Sequence, residues 1–497
     1  MRIVLASSEA VPFSKTGGLA DVASALTRAL SRAGHEVTLV TPHYPQVRAR
    51  SAPDATLKPT KKAVQIAVGD QMLRGTFLRA ELPGCDARVL LLDRPEAFDR
   101  PELYGERGRD YIDNCERFVF FSRAVLEAIH LFDLNPDVLH AHDWQTGLVP
   151  AYLELEHRRL GHWPRVASVF TIHNLAFQGQ FWHWDMPLTG LDWVHFHPDE
   201  MEFWGKMNFL KTGVVFADRI TTVSPTYAEE IQTEEFGCGL DGVLAERREK
   251  LVGILNGVDT DEWNPATDPH IVKNYAAETL VAGKAACKAD LQQRLGLPAR
   301  EDVPLFGMIS RMADQKGFDL IVETADELLD RDLQLCILGT GIPEYEEATR
   351  QLAQEHPEKV ATVIGFDDAL AHRIEAGADA FLMPSRYEPC GLNQLYSMIY
   401  GTVPIVHAVG GLADSVVQTT AETLANGTAT GFRFDSYDVP SFRDALQDAL
   451  RTFADRDTWL RIATNGMRQD WSWDRSAARY VEVYEEAMRR GRMEDGG

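Results

Sequence analysis

The feature that most constrains the fold is a repeated local pattern. A short apolar run leads into a polar or glycine-bearing turn, a stretch with apolar residues at helical spacing follows, and then another apolar run. Ile3-Val4-Leu5-Ala6 is bounded by polar residues and is too short for a buried helix, so it reads as a buried strand. A loop with Pro12 and Gly17-Gly18 follows, then apolar residues at helical spacing over 19–33, ending at Gly34, a residue suited to the position after a helix end. Val37-Thr38-Leu39-Val40 is the next strand. Strands joined through one helix run parallel, so the chain is expected to build parallel sheets covered by helices.

The pattern recurs at residues 89–92, 138–141, 168–171 and 219–223. Turn signals then gather after Leu251-Val252-Gly253-Ile254-Leu255, at Asn256-Gly257, Asn264-Pro265 and Asp268-Pro269, which marks a linker. A second α/β series starts at residues 304–309 and continues with strands at 335–338, 361–364, 380–382 and 403–406. A chain of 497 residues exceeds one ordinary core, since domains hold ~100–200 residues. The expected architecture is α/β with two Rossmann-like domains, residues 1–250 and 251–475. An amphipathic helix and polar tail are expected over 476–497. Ligands of such sheets bind outside the carboxyl ends of the strands.

Composition narrows the function. The formal net charge is -24, from 50 Lys+Arg against 74 Asp+Glu. Such a surface repels nucleic acid and anionic lipid, so neither is an expected partner, and an anionic substrate needs a local basic pocket. The six cysteines, Cys85, Cys115, Cys238, Cys287, Cys336 and Cys390, show no CxxC pair, and free thiols in a cytoplasmic protein are expected. Ser7, Ser8 and Glu9 interrupt the first apolar run before a signal-peptide core forms, and no stretch of ~18 apolar residues exists to span a membrane.

Several turns carry residues with chemical potential. Lys15-Thr16-Gly17-Gly18 joins the first strand to the first helix. Its glycines permit close backbone approach, the helix start offers N–H groups to an anion, and Lys15 adds a charge. It has neither GxxxxGK[ST] nor GxGxxG, and a plain strand–helix turn reads equally well. Arg311 and Lys316 occupy the matching turn of the second half, where they would clamp a diphosphate or simply be solvated. Glu388 stands at a strand end ahead of Gly391, placed to accept hydrogen bonds from sugar hydroxyls, or to act only as a helix-start charge. Gly410-Gly411 opens another helix and reads as a further anion cradle or an ordinary turn. His140 and His142 lack a third spaced ligand for a metal, and Asp259-Thr260-Asp261 follows an Asn-Gly turn, so it reads as hydrogen-bonding turn residues rather than a metal motif.

Taken together, these segments resemble the bacterial and plant glycogen (starch) synthase family. The matching stretches are Ser8-Glu9-Ala10-Val11-Pro12-Phe13-Ser14-Lys15-Thr16-Gly17-Gly18-Leu19-Ala20-Asp21-Val22, His140-Ala141-His142-Asp143-Trp144, Thr171-Ile172-His173-Asn174, Ile254-Leu255-Asn256-Gly257-Val258-Asp259, Ser310-Arg311 with Lys316-Gly317, and Arg386-Tyr387-Glu388-Pro389-Cys390-Gly391-Leu392. The first and last are highly specific. The resemblance implies a GT-B fold, two Rossmann-like domains facing a deep cleft, with a final helix returning to the first domain. It implies ADP-glucose as donor, an α-1,4-glucan (glycogen) as acceptor, retention of the α configuration, and neither metal nor cofactor.

The same resemblance implies the site. Arg311 and Lys316 bind the donor diphosphate, while Lys15 and Gly18 reach the donor from the first domain. Glu388, with Cys390 and Gly391, holds the glucosyl hydroxyls, and His173 lies beside the glucose with Asn174 close by. Asp143 and Trp144 belong to the acceptor or sugar side, and Phe366 lies near the adenine. Asp21, Leu392 and Gly411 complete the substrate-binding set. One departure stands out: the wider superfamily carries a second Glu eight residues after the first, and here that place is Tyr396. Double displacement needs a carboxylate nucleophile. With Glu388 assigned to hydroxyls, a front-face transfer is preferred. The alternatives are another GT-B transferase with a different nucleotide sugar, a glucan-binding scaffold without activity, or a glucan phosphorylase, for which no pyridoxal phosphate lysine is marked.

Overall fold

The computed structural model describes residues 1–51, 56–106 and 108–494. The chain forms two compact units, one of Met1–Val223, Ala228–Gly257 and Trp473–Gly497, the other of Ser224–Tyr227 and Val258–Ser472. The last three residues of the expected polar tail, 495–497, lie outside the described residues.

The main sheet of the first unit has nine strands among the described residues: β1 (Arg2–Ala6), β2 (Glu36–Pro42), β3 (Lys58–Val68), β4 (Gln71–Glu81), β5 (Arg88–Asp93), β6 (Val138–His142), β7 (Ala167–Ile172), β8 (Arg219–Thr222) and β9 (Leu251–Gly253). Their order is β9-β8-β7-β6-β1-β2-β5-β4-β3. All pairings from β9 across to β5 are parallel, and only β3 and β4 add antiparallel partners at one edge. Every residue of β6, β7 and β8 is buried, as a parallel sheet covered on both faces requires. Helices α1 (Gly18–Arg32) and α2 (Asn114–Leu131) supply part of that cover. The C-terminal helix, Trp473–Glu494, packs against α1 and β7. It inserts Trp473, Ala477, Tyr480, Val483, Tyr484 and Ala487 into the core that holds Ile3, Leu5, Val22 and Leu26.

The apolar runs of the sequence do not predict the hairpin β3–β4. Its register pairs Val68 with Gln71 across a two-residue Gly69-Asp70 loop, and Gly69 takes a φ of +60°, which a hairpin loop of this length demands. Val64, Ile66 and Val68 alternate inward, but exposed Gln65 interrupts them and the first half of the strand, with Lys58, Lys61 and Lys62, is polar, so the segment lacks the unbroken apolar run that marks the buried strands.

The second unit carries β10 (Leu305–Ile309), β11 (Gln334–Gly339), β12 (Val360–Ile364), β13 (Ala380–Met383), β14 (Val403–His407) and β15 (Phe432–Phe434). All are parallel, in the order β12-β11-β10-β13-β14-β15. This is the doubly wound order in which the first and fourth strands lie side by side, so a crevice opens outside the carboxyl ends of β10 and β13. Its helices include α3 (Phe318–Leu329), α4 (Asp368–Gly377) and α5 (Asn393–Ile399). The first unit has the corresponding reversal between β1 and β6.

One buried ion pair fixes the start of the second sheet. Lys288 Nζ lies 2.7 Å from Asp379 Oδ2 and also donates to the carbonyls of Val303 and Glu301, while Asp379 Oδ2 accepts from the Leu305 amide. The two side chains are 6% and 14% exposed. Removing one partner of such a pair strands the other charge, at a cost of about 3–5 kcal/mol. Asp379→Ala should therefore lower stability by about 3 kcal/mol. Urea denaturation checks this, and an unchanged midpoint would contradict it.

Candidate active site

In the second unit, the loop after β10 and the loop after β13 are laced together at the crevice. Lys316 Nζ donates to Glu388 Oε2 at 2.6 Å, and Ser385 Oγ donates to the same oxygen at 3.0 Å. The Arg386 amide donates to the Gln315 carbonyl, and Gln315 Nε2 reaches the Tyr387 carbonyl. Glu388 is 5% exposed, so its charge is matched by Lys316 rather than by bulk water. Neither of these bonds uses Oε1. Arg311, on the same loop, is exposed and bonds Gln315.

Backbone geometry holds these loops close. Gly317 takes a φ of +76°, and a Cβ there would fall 1.9 Å from the Pro384 carbonyl oxygen. At Gly411 a Cβ would fall 2.0 Å from the Cys390 carbonyl oxygen, and the Gly411 amide donates to the Glu388 carbonyl. Gly411 thus seats the turn after β14 directly under Glu388 and Cys390. Asn393 at the start of α5 ties that helix to the Ile309 carbonyl at the end of β10. Cys390 is buried, Gly391 and Leu392 are half-buried, and Gln394 leaves a buried Oε1 with no protein partner. Phe366, after β12, is 87% exposed.

In the first unit the turn after β1 is organised by Glu9. This buried carboxylate accepts from the Thr16 amide, the Thr16 hydroxyl and the Tyr104 hydroxyl. Burial pushes its pKa up, opposed by those hydrogen bonds. Lys15 is paired with Asp21 at 2.8 Å. A Cβ at Gly17 or Gly18 would meet nothing within 4 Å, so protein packing does not explain either glycine.

Across the β1–β6 reversal, Asp143 takes φ +57° and ψ 178°, a region that non-glycine residues occupy at a cost of about 1–3 kcal/mol and that concentrates at functional sites. Its carboxylate accepts from the His173 amide at 2.7 Å. Burial pushes the Asp143 carboxyl up to about 7 and the His173 imidazole down to about 3, so His173 is neutral near pH 7. His173 Nε2 lies 3.0 Å from His142 Nδ1. His140 spends both ring nitrogens on Tyr484 and Thr171, which leaves no lone pair for a metal. Asn174 Oδ1 accepts from the Ala176 amide. Trp144 is 9% exposed and packs edge-on against Phe118 with centroids 4.9 Å apart.

The structure thus brings Lys316, Glu388, Cys390, Gly391 and Gly411 together in one unit, with Arg311 on the same loop as Lys316. It brings Asp143 and His173 together in the other. Glu9, Ser385 and Gln394 belong to these clusters and were not singled out from sequence. Glu9 lies inside the stretch from Ser8 to Val22, but its hydrogen bonds to Thr16 and Tyr104 depend on tertiary folding. Asp259-Thr260-Asp261 forms the expected turn, with the Asp261 amide donating to Asp259 Oδ1.

Two Rossmann-type units, each with a strand-order reversal, define the GT-B class of glycosyltransferases. The family model for the starch synthase catalytic domain matches residues 2–246, and that for glycosyl transferases group 1 matches residues 291–465. A glycogen synthase of Anaeromyxobacter dehalogenans is 48% identical over 97% of this chain and 99% of its own length. A glycogen synthase of Rhodopirellula baltica is 43% identical over the whole of both chains. The catalytic domain of starch synthase IV from Arabidopsis thaliana, solved with ADP and acarbose, superposes with a TM-score of 0.89 at 33% identity, covering 98% of this chain and 99% of that one. The chain belongs to the glycogen/starch synthase family and is a glycosyltransferase. No helix among the described residues is long and apolar enough to cross a membrane.

The raised Asp143 value makes a signed prediction. Asp143 releases its proton near its ordinary value of 3.8 when unfolded and near 7 when folded. Between those values the folded state binds more protons, so this group's contribution to stability falls as pH rises. His173, with its lowered value, acts in the opposite sense, so the comparison must isolate Asp143. Asp143→Asn keeps an acceptor for the His173 amide and removes the titration. The variant should gain stability relative to the wild type between pH 4.5 and 7.5, read as the difference in urea midpoints. A constant difference would contradict the assignment.

Proposed function

We propose that the protein transfers glucose from ADP-glucose to the non-reducing end of an α-1,4-glucan, retains the α configuration and releases ADP. The observation that carries this reading is the Lys316–Glu388 pair at the strand-order reversal of the second unit, with Arg311 exposed on the same loop. The ADP and acarbose bound to the Arabidopsis relative support a nucleotide diphosphate and a glucan as ligands here too. We place the reaction in the cytoplasm, where the six unbridged cysteines are at home.

Arg311 and Lys316 supply positive charge to the diphosphate as it departs. Such preorganised charge is worth about 2.7–4 kcal/mol of barrier. Glu388 binds glucosyl hydroxyls through the oxygen that Lys316 and Ser385 leave available, and the peptide groups near Cys390, Gly391 and Leu392 line the same pocket. Gly411 holds that pocket's floor. Lys15, Gly18 and Asp21 serve the donor from the first unit, where the open space at Gly17 and Gly18 admits a ligand against the backbone. Phe366 offers its exposed ring to the adenine.

The bond from the anomeric carbon to the donor phosphate oxygen breaks, and a new bond to the acceptor 4-hydroxyl oxygen forms on the same face. The hydroxyl proton passes to the departing phosphate oxygen. Glu388 is engaged by Lys316 and does not attack, so no glucosyl-enzyme bond is formed. His173, neutral near pH 7, donates or accepts a hydrogen bond at the glucose without adding charge, and Asn174 stands beside it. Asp143 acts through the His173 amide as a positioning residue, and Trp144 packs behind it in the core. Exposed Trp182, Trp184 and Trp193 cluster edge to face in the first unit and present the flat apolar surface on which glucan rings stack.

Arg311→Ala should lower kcat for glucose transfer from ADP-glucose about 10²–10³-fold. The apparent KM for glycogen should stay within a factor of about two, because Arg311 contributes to leaving-group stabilisation rather than to acceptor binding. Steady-state kinetics check this, and near-normal turnover would overturn the phosphate-clamp assignment.

A further inference from the structure

Among the described residues, one group of three side chains has metal-ligand spacing: His270, Asp368 and His372, whose ligating atoms all lie within 4.8 Å of one another. All three belong to the second unit. Asp368 and His372 stand four residues apart on α4, one turn apart on one face, and His270 comes from the loop before Leu280–Leu295.

His372 is the informative member. It is 1% exposed, and its Nε2 is buried with no protein partner. Its Nδ1 lies 2.8 Å from Asp268 Oδ2. Asp268 is itself buried, and its carboxylate also accepts from the Tyr400 hydroxyl and the His270 amide. Asp268 Oδ2 accepts from the Tyr400 hydroxyl as well, so it serves as the acceptor for a proton on His372 Nδ1 and leaves the buried Nε2 as the ring's acceptor. A carboxylate behind an imidazole that offers its other nitrogen is the arrangement that orients histidine ligands in metal sites. Leaving that buried lone pair unmatched is costly, which calls for a partner the chain itself does not supply.

The ring is also locked in place. Trp263 stacks on His372 with centroids 3.9 Å apart and planes 7° apart, and Tyr396 stacks on the other face of Trp263 at the same distance. The side chain that replaces the second Glu of the wider superfamily is therefore part of the support behind His372. His270 faces His372 at 4.8 Å between ring centroids.

We propose that His270, Asp368 and His372 bind a divalent transition-metal ion of the zinc class, two imidazoles and one carboxylate, with water completing the shell. Imidazole and carboxylate ligands suit zinc and cobalt. Ligands around a tetrahedral zinc lie about 3.5 Å apart, so exposed Asp368 and half-buried His270 need only small side-chain rotations to close on the ion. The ion would pin the loop carrying Asp268 and His270 to the first turn of α4.

The test uses the full chain after chelator treatment. Calorimetric titration with zinc chloride should show about one tight equivalent, and titration with cobalt should give visible absorption bands. His270→Leu and Asp368→Asn touch partly exposed side chains and should fold as the wild type does. Each should weaken zinc at least about ten-fold, by analogy with the loss of supporting groups at such sites. Zinc should raise the melting temperature of the wild type and leave that of His270→Leu unchanged. Wild-type protein that takes up no zinc, or both variants binding it as the wild type does, for instance at exposed Cys238, would overturn the proposal.

Discussion

Lys316 and Glu388 sit on loops that leave neighbouring strands, β10 and β13, and their ion pair is the contact that makes those two loops one site. A buried carboxylate alone would be expensive, and an unpaired lysine beside it would be free to swing away. Each makes the other tolerable, and together they hold a positive and a negative group side by side where the sheet opens. A site that must bind an anionic diphosphate and a polyhydroxylated sugar at adjoining points needs both charges in that arrangement.

The close approach of the loops depends on glycines with no room for a Cβ. At Gly317 and Gly411 the neighbouring carbonyl oxygens already occupy that space, so any side chain would push Lys316 or the turn beneath Glu388 outward. Gly17 and Gly18 are different, because nothing crowds them. The first pair is explained by packing, and the second pair has open space that the proposed donor would use. The strained backbone at Asp143 is a third local cost of the same kind, tolerated where its carboxylate fixes the peptide of His173.

Much of this was legible in the sequence, because parallel strands buried on both faces announce themselves as short apolar runs. The turns after β1, β10, β13 and β14 could be located from those runs, and with them Lys15, Arg311, Lys316, Glu388 and Gly411. The hairpin β3–β4 was not, since Lys58, Lys61 and Lys62 at the start of β3 and exposed Arg74 and Arg79 in β4 interrupt the apolar run. Glu9 lies within the stretch from Ser8 to Val22, but its bond to Tyr104 needs residues 95 positions apart to meet. The resemblance puts Trp144 on the acceptor or sugar side, and the fold adds a packing role, with its ring edge-on to Phe118. The cluster around His372 joins a loop to a helix about a hundred residues later, and only its Asp368–His372 spacing is visible locally.

Transfer of glucose from an adenine nucleotide sugar to a glucan is the proposed reaction that ties these features together. The most direct measurement is release of ADP from ADP-glucose with and without glycogen, using glucose-labelled donor and UDP-glucose as the control. The account predicts glycogen-dependent release of ADP with label entering the polymer, and much slower reaction with UDP-glucose. Release from neither donor in the presence of glycogen would contradict it.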